Sequence, residues 1–163
     1  MAEPFSATGQ GTHSEGLVVR FSPAPGSWIG NFQRGFSSLD DVFAHPDGRH
    51  VVVVAGGTAY VVDAESHSLV AQFGVDIEQI ILAPANRIVL LGNGLWFEAL
   101  GPTGMEWRSR RISWDGMRSV SLAGTVVRGE AYAPFGPDGT WYPFEMDAKT
   151  GAVIGGSYNG PPM

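Results

Sequence analysis

The chain has 163 residues, 44% of them hydrophobic and 16% charged, which is long enough for one domain with a real core and too apolar for a wholly disordered polymer. Sixteen acids against ten cations leave a net charge of −6, which opposes attraction to nucleic acid or anionic membrane, since neutralising phosphates needs clustered cations. Cysteine is absent, so disulfides, thiolate nucleophiles and cysteine-ligated metal centres are excluded.

The opening stretch "MAEPFSATGQGTHSEG" is small, polar and aperiodic, which predicts a disordered arm over 1–16. It lacks the basic start and apolar stretch of a secretory signal, and no 18 apolar residues run together, so a soluble, cytoplasmic protein without membrane association is expected. The 23 glycines and 11 prolines fall between short apolar runs, the pattern of a strand-and-turn protein, and a single all-β domain is predicted over 17–163.

Within that domain "GLVVRF" predicts a first short strand, and the segment around Trp28 to Phe32 an edge strand. The chain then divides at its turn residues into a four-stranded meander: Asp41 to His45, His50 to Ala55, Thr58 to Asp63 and Leu69 to Phe73. "IEQIILAPANRIVLLGNGLWFEALGPTGMEWRSRRI" divides in the same way and shares Pro-x-x-Arg with the first, at Pro46 to Arg49 and Pro84 to Arg87. A third unit follows from Met117 to Tyr158, with a longer hairpin tip at "APFGPDGT". The runs "VVVV" and "IVLL" lack alternation, as expected of strands covered on both faces. In the Trp141 strand, Tyr142, Phe144 and Met146 share one face, and Trp141, Glu145 and Asp147 the other.

A turn recurs at equivalent places: Asp63-Ala-Glu-Ser-His67, Leu100-Gly-Pro-Thr-Gly104 and Asp147-Ala-Lys-Thr-Gly151. The outer two lie 84 residues apart, two steps of about 42, a period typical of four-stranded propeller blades. With its preceding aromatic strand, "DAKTGAVIGG" resembles the propeller repeats of the quinoprotein-like and YVTN-like kind, over roughly Ser37 to Tyr158. Leu100 departs from that pattern in the second copy and His67 in the first. The resemblance implies an all-β, propeller-like body of about three four-stranded antiparallel meander repeats plus an N-terminal fragment from Leu17 to Phe36; an open β-sandwich is the alternative. It implies no cofactor, since nothing matches the axial contacts that quinoprotein enzymes make to pyrroloquinoline quinone. The segment from Arg110 to Tyr158 is also similar to small bacterial proteins of unassigned function.

Two constellations carry chemistry. In His45-Pro-Asp-Gly-Arg-His50, a Pro-Asp-Gly-Arg turn would set His45 and His50 across a strand pair at roughly 5 Å, where with Asp47 they could ligate a divalent metal. The competing reading is an ordinary Asp-Gly turn. Trp107-Arg-Ser-Arg-Arg-Ile-Ser-Trp114 mixes cations with aromatics, so Trp107, Arg108, Arg110, Arg111, Trp114 and Asp115 are candidate binding residues for an anionic or nucleotide ligand. Strand alternation would put Arg108 and Arg110 on one face and Trp107, Ser109 and Arg111 on the other, and a charged edge strand is the competing reading. Asp40-Asp41 and the pair Asp76 and Glu78 read as solvated acids. No phosphate loop and no Gly-x-Ser-x-Gly elbow occurs, while a triad assembled in space stays open.

The expected function is a non-catalytic interaction or ligand-binding module with a protein or small-molecule partner. The alternative is a small metal-dependent hydrolase or lactonase-like enzyme using His45, Asp47 or His50. A third reading is an assembly role in which a homodimer shares one ring.

Overall fold

The computed structural model describes residues 1–6, 15–23, 26–135 and 138–161, which form two compact units, 1–78 and 79–163. In the first unit β1 (Glu3–Phe5), β2 (Leu17–Phe21) and β3 (Trp28–Phe32) make a mixed sheet of order β1-β3-β2, with β1 parallel and β2 antiparallel to β3. The loose arm expected over 1–16 is therefore corrected at its start. Phe5 is buried and stacks on Phe32 with ring centroids 4.7 Å apart, and its carbonyl takes the Gln33 N–H at 2.9 Å. Residues 7–14 of that arm lie outside the described residues.

The first meander forms as expected: β4 (Asp41–Ala44), β5 (Val51–Ala55), β6 (Thr58–Asp63) and β7 (Ser68–Phe73), paired in that order and antiparallel. Ala55 pairs with Thr58, so Gly56 and Gly57 alone turn the chain, at φ +54° and +84°. Two successive positive φ angles are what a tight hairpin of the right twist demands, and glycine supplies them without strain. Both faces of the inner strands are buried. Val53, Ala55, Tyr60 and Val62 pack with Phe5, Phe21, Trp28 and Phe32 into one core, while Val52, Val54 and Ala59, which point the other way, are also fully covered.

The second unit holds two more four-stranded antiparallel sheets. One runs β8 (Gln79–Ala83), β9 (Ile88–Gly92), β10 (Phe97–Gly101) and β11 (Gly104–Arg108). The other runs β12 (Met117–Ala123), β13 (Val126–Ala133), β14 (Thr140–Asp147) and β15 (Val153–Gly155). Leu90, Phe97 and Ala99 of the first pack against Val127, Ala131, Phe144 and Met146 of the second, with Ile112 among them, and the Gln79 side chain donates to Met117 O at 3.2 Å. Tyr142 shares the face of Phe144 and Met146, as strand alternation predicts, but not their burial. Phe144 and Met146 are buried but Tyr142 is 45% exposed, because β15 pairs with only Phe144 to Met146 and β14 runs on past it.

The recurring turn is one device in its outer two copies. Asp63 Oδ1 accepts the N–H groups of Glu65 and Ser66 at 3.0 and 3.1 Å; Asp147 Oδ1 accepts those of Lys149 and Thr150 at 2.9 and 2.8 Å, and the Thr150 hydroxyl at 3.0 Å. Each turn closes on a left-handed residue, His67 at φ +57° and Gly151 at φ +71°. His67 tolerates that backbone while stacked on Trp28, with ring centroids 4.4 Å apart, and bound to Glu3 at 2.8 Å. The middle copy is a shorter hairpin in which Gly101 pairs with Gly104, and Leu100 is buried in place of a turn carboxylate. At Asp63 the Ser66 amide, with the Glu65 amide and Arg49, holds the carboxyl below its ordinary 3.8 against the burial that would raise it. At Asp147 the Thr150 amide and hydroxyl, with Lys149, do the same.

Two outcomes follow from these turns. A Cβ on Gly151 would sit 2.5 Å from the Trp107 ring at positive φ, whereas one on Gly124, also at positive φ, meets nothing within 4 Å. Gly151→Ala is expected to cost about 3 kcal/mol and Gly124→Ala about 1 kcal/mol in denaturant unfolding. Equal losses would show that the Trp107 contact carries no weight. A carboxyl held below its unfolded value stabilises the fold above pH 3.8, and that stability is lost as pH falls through the depressed value. Asp147→Asn keeps an oxygen acceptor but does not titrate, so its deficit relative to wild type should shrink on acidification below that pH. A deficit constant with pH would contradict the assignment.

Candidate functional site

The site is built where β11 stops. Arg108 is its last paired residue; Ser109 then donates its N–H to Phe97 O at 2.8 Å, accepts the Phe97 N–H on Oγ at 3.1 Å and donates that hydroxyl to Arg110 O at 2.9 Å. The buried Ser109 thus takes over the ladder bonds and turns the chain out of the strand. Ile112 fixes the next segment, donating its N–H to Leu95 O at 2.7 Å while its carbonyl accepts the N–H groups of Ser157 and Tyr158 at 2.9 and 3.0 Å. The C-terminal segment can come this close because residue 156 is glycine: a Cβ there would lie 2.6 Å from Ile112 O. One residue therefore gathers Trp96, the arginine run and Tyr158.

Between them is a pocket of about 190 Å³ lined by Trp96, Arg108, Ser109, Arg110, Arg111, Tyr158, Gly160 and Pro161. Its three cations are held differently. Arg108 is neutralised by Glu98 at 2.5 Å and lies 5.1 Å from the Trp96 ring centroid. Arg110 donates only to carbonyls, Arg111 O at 2.9 Å and Gly155 O at 2.5 Å. Arg111 donates Nε to Ser113 O and a terminal nitrogen to Trp114 O, and lies 4.7 Å from the Tyr158 ring centroid and 5.6 Å from that of Trp114. Among the described residues neither Arg110 nor Arg111 has a carboxylate at ion-pair distance. Carbonyls orient a guanidinium without cancelling its charge, and each group keeps N–H donors to spare. The acidity of the whole chain does not fall here: residues 1–78 hold three arginines against nine acids, whereas 79–163 hold seven cations against seven acids.

Of the residues singled out in the sequence, Arg108, Arg110 and Arg111 line this pocket together. The expected split of the arginines between two strand faces fails because the strand ends at Arg108. Trp114 stands behind Arg111 and touches Phe135 and Tyr158 with ring centroids 5.1 and 4.6 Å away. Trp107 instead packs against the core beside Gly151, and Asp115 is exposed outside the pocket lining. Trp96 and Tyr158 were missed. Each sits next to a turn signal, Asn93-Gly94 and Gly155-Gly156, but only the backbone of Ile112 links them.

His45 and His50 flank their turn as expected, with the His45 N–H donating to His50 O at 2.9 Å and rings 6.0 Å apart. Asp47 Oδ1 takes the N–H groups of Arg49 and His50 at 2.8 and 3.0 Å, and Oδ2 meets His50 Nδ1 at 2.6 Å and His45 Nδ1 at 3.0 Å. Burial works to raise the Asp47 carboxyl, but the Arg49 amide and the ring and amide of His50, with His45 beside them, hold it far below the usual carboxylate range. Asp40, read as a solvated acid, is a structural one: Arg34 grips both its oxygens at 2.8 and 2.7 Å, and Oδ1 takes the Gly56 N–H at 2.9 Å.

All four histidines lie in residues 1–78, so the second unit itself offers no imidazole base, and the hydroxyls within its arginine run, those of Ser109 and Ser113, donate to backbone carbonyls. Among the described residues no helix is long and apolar enough to cross a membrane. No protein-family model and no curated protein matches the chain.

Proposed function

We propose that the protein is a non-catalytic ligand-binding module, and that the pocket around Arg111 takes a small anion bearing a flat apolar face. The observation that carries this reading is the pair Arg110 and Arg111, both oriented by carbonyls and lacking a carboxylate among the described residues, beside the rings of Trp96 and Tyr158. A guanidinium so placed binds a carboxylate or phosphate bidentately, and the rings stack on the ligand's face. The volume, below the roughly 300–1,000 Å³ that encloses a drug-sized ligand, suits a single ring with one acidic group. The three meanders, and the aspartate turn shared by the outer two, support propeller-like units of the YVTN kind as the scaffold.

The test is calorimetric titration of the untagged chain with benzoate, phenyl phosphate and the neutral isostere benzamide. The anions should bind at least tenfold more tightly than benzamide, and Arg111→Gln should weaken them at least tenfold. Arg118→Gln, whose guanidinium lies over Trp141 instead, should leave them unchanged. Equal binding of benzamide, or an equal effect of the two substitutions, would overturn the reading.

A further inference from the structure

The turn from His45 to His50 is closed by its own bonds and does not need its two imidazoles. The His45 N–H to His50 O bond, the Gly48 N–H to His45 O bond at 2.9 Å and the two amides on Asp47 Oδ1 already fix the backbone. Yet both rings turn inward, with side-chain exposures of 6% for His45 and 16% for His50, and aim Nδ1 at the one remaining carboxylate oxygen. Exposed turn histidines would point to water.

Three potential ligand atoms thereby converge. His45 Nδ1 lies 3.0 Å and His50 Nδ1 2.6 Å from Asp47 Oδ2. A cation held there would take one lone pair from each of the three side chains.

We infer that His45 Nδ1, His50 Nδ1 and Asp47 Oδ2 form a binding site for one zinc-class divalent ion. One ligand atom from each of His45, Asp47 and His50 lies within 4.8 Å of the other two. Tetrahedral zinc, with bonds of about 2.0–2.1 Å, sets its ligands about 3.3 Å apart, so the gaps of 2.6 and 3.0 Å open by about 0.7 and about 0.3 Å. Two imidazoles and one carboxylate select zinc, cobalt, nickel or copper over magnesium and calcium, which take all-oxygen shells. The far nitrogen of His50 lies 3.9 Å from Asp63 Oδ2, so a carboxylate stands behind the ligand ring, as around many bound metals. Asp47 is 22% exposed, which leaves water room to complete the shell.

Equilibrium dialysis of the full, untagged chain against zinc, with magnesium as comparison, tests this. One zinc per chain should bind, and magnesium should not compete at a hundredfold excess. Asp47→Asn keeps an oxygen for the two turn amides, so it separates ligand loss from turn loss; it and His50→Gln should each weaken zinc at least tenfold while circular dichroism shows the sheets intact. His67→Asn, which removes an imidazole outside the cluster at a left-handed position asparagine tolerates, should change nothing. No stoichiometric zinc on folded wild-type protein, or a loss in His67→Asn equal to that in His50→Gln, would overturn the assignment.

Discussion

The constraint on which the rest depends is burial of the inner strands of the meanders on both faces. In β5, β6, β9 and β10 nearly every side chain is out of water whichever way it points, from Val52 to Asp63 and from Ile88 to Gly101 with few gaps. A strand buried on both sides must have every backbone group paired, because an orphaned N–H or carbonyl there has no water to turn to. Its neighbours and register are thereby fixed, and short connections such as Gly56-Gly57 keep them. The outer strands answer to a weaker rule. β7 is exposed over most of its length, and β4 likewise, so these edges tolerate charge and solvent.

The arginine-lined pocket uses that difference. It is made at the end of an outer strand, where Ser109 replaces ladder bonds with side-chain bonds and frees the next residues from strand alternation. Three arginines can then line one cavity, which a regular strand would forbid. The carbonyl and amide of Ile112, itself fully buried in the core, tie the loose segments to the rigid part of the unit. A side-chain cluster on a margin, held by one residue in the core, is positioned without weakening the sheets.

The fold was largely legible because its signals are local. Period, glycine and proline placement and the unbroken runs "VVVV" and "IVLL" marked the strands, and the Asp-x-x-Thr-Gly turn marked the repeat. Phe5 was not legible, since a single ring in a polar stretch has no periodicity and its value appears only when Phe32 is found beneath it. The arginine run was recognised but wrongly divided, because strand periodicity was extended past Arg108 and nothing in the letters shows that a serine hydroxyl ends the ladder. Trp96 and Tyr158 lie 62 residues apart in the chain. Their meeting depends on Ile112, an apolar residue whose backbone alone does the joining. The histidine turn is the opposite case: its geometry follows from six consecutive residues, and the structure adds the inward turn of the rings.

The most direct test of double-sided burial as the organising constraint is native-state hydrogen exchange of the paired amides. Those of Val52 to Val54, Tyr60 to Val62 and Val89 to Leu91 should exchange slowest, near the rate of global unfolding, while the paired amides of β4 and β7 exchange through local opening at least tenfold faster. Equal protection of inner and outer strands, or greater protection at the edges, would contradict the account.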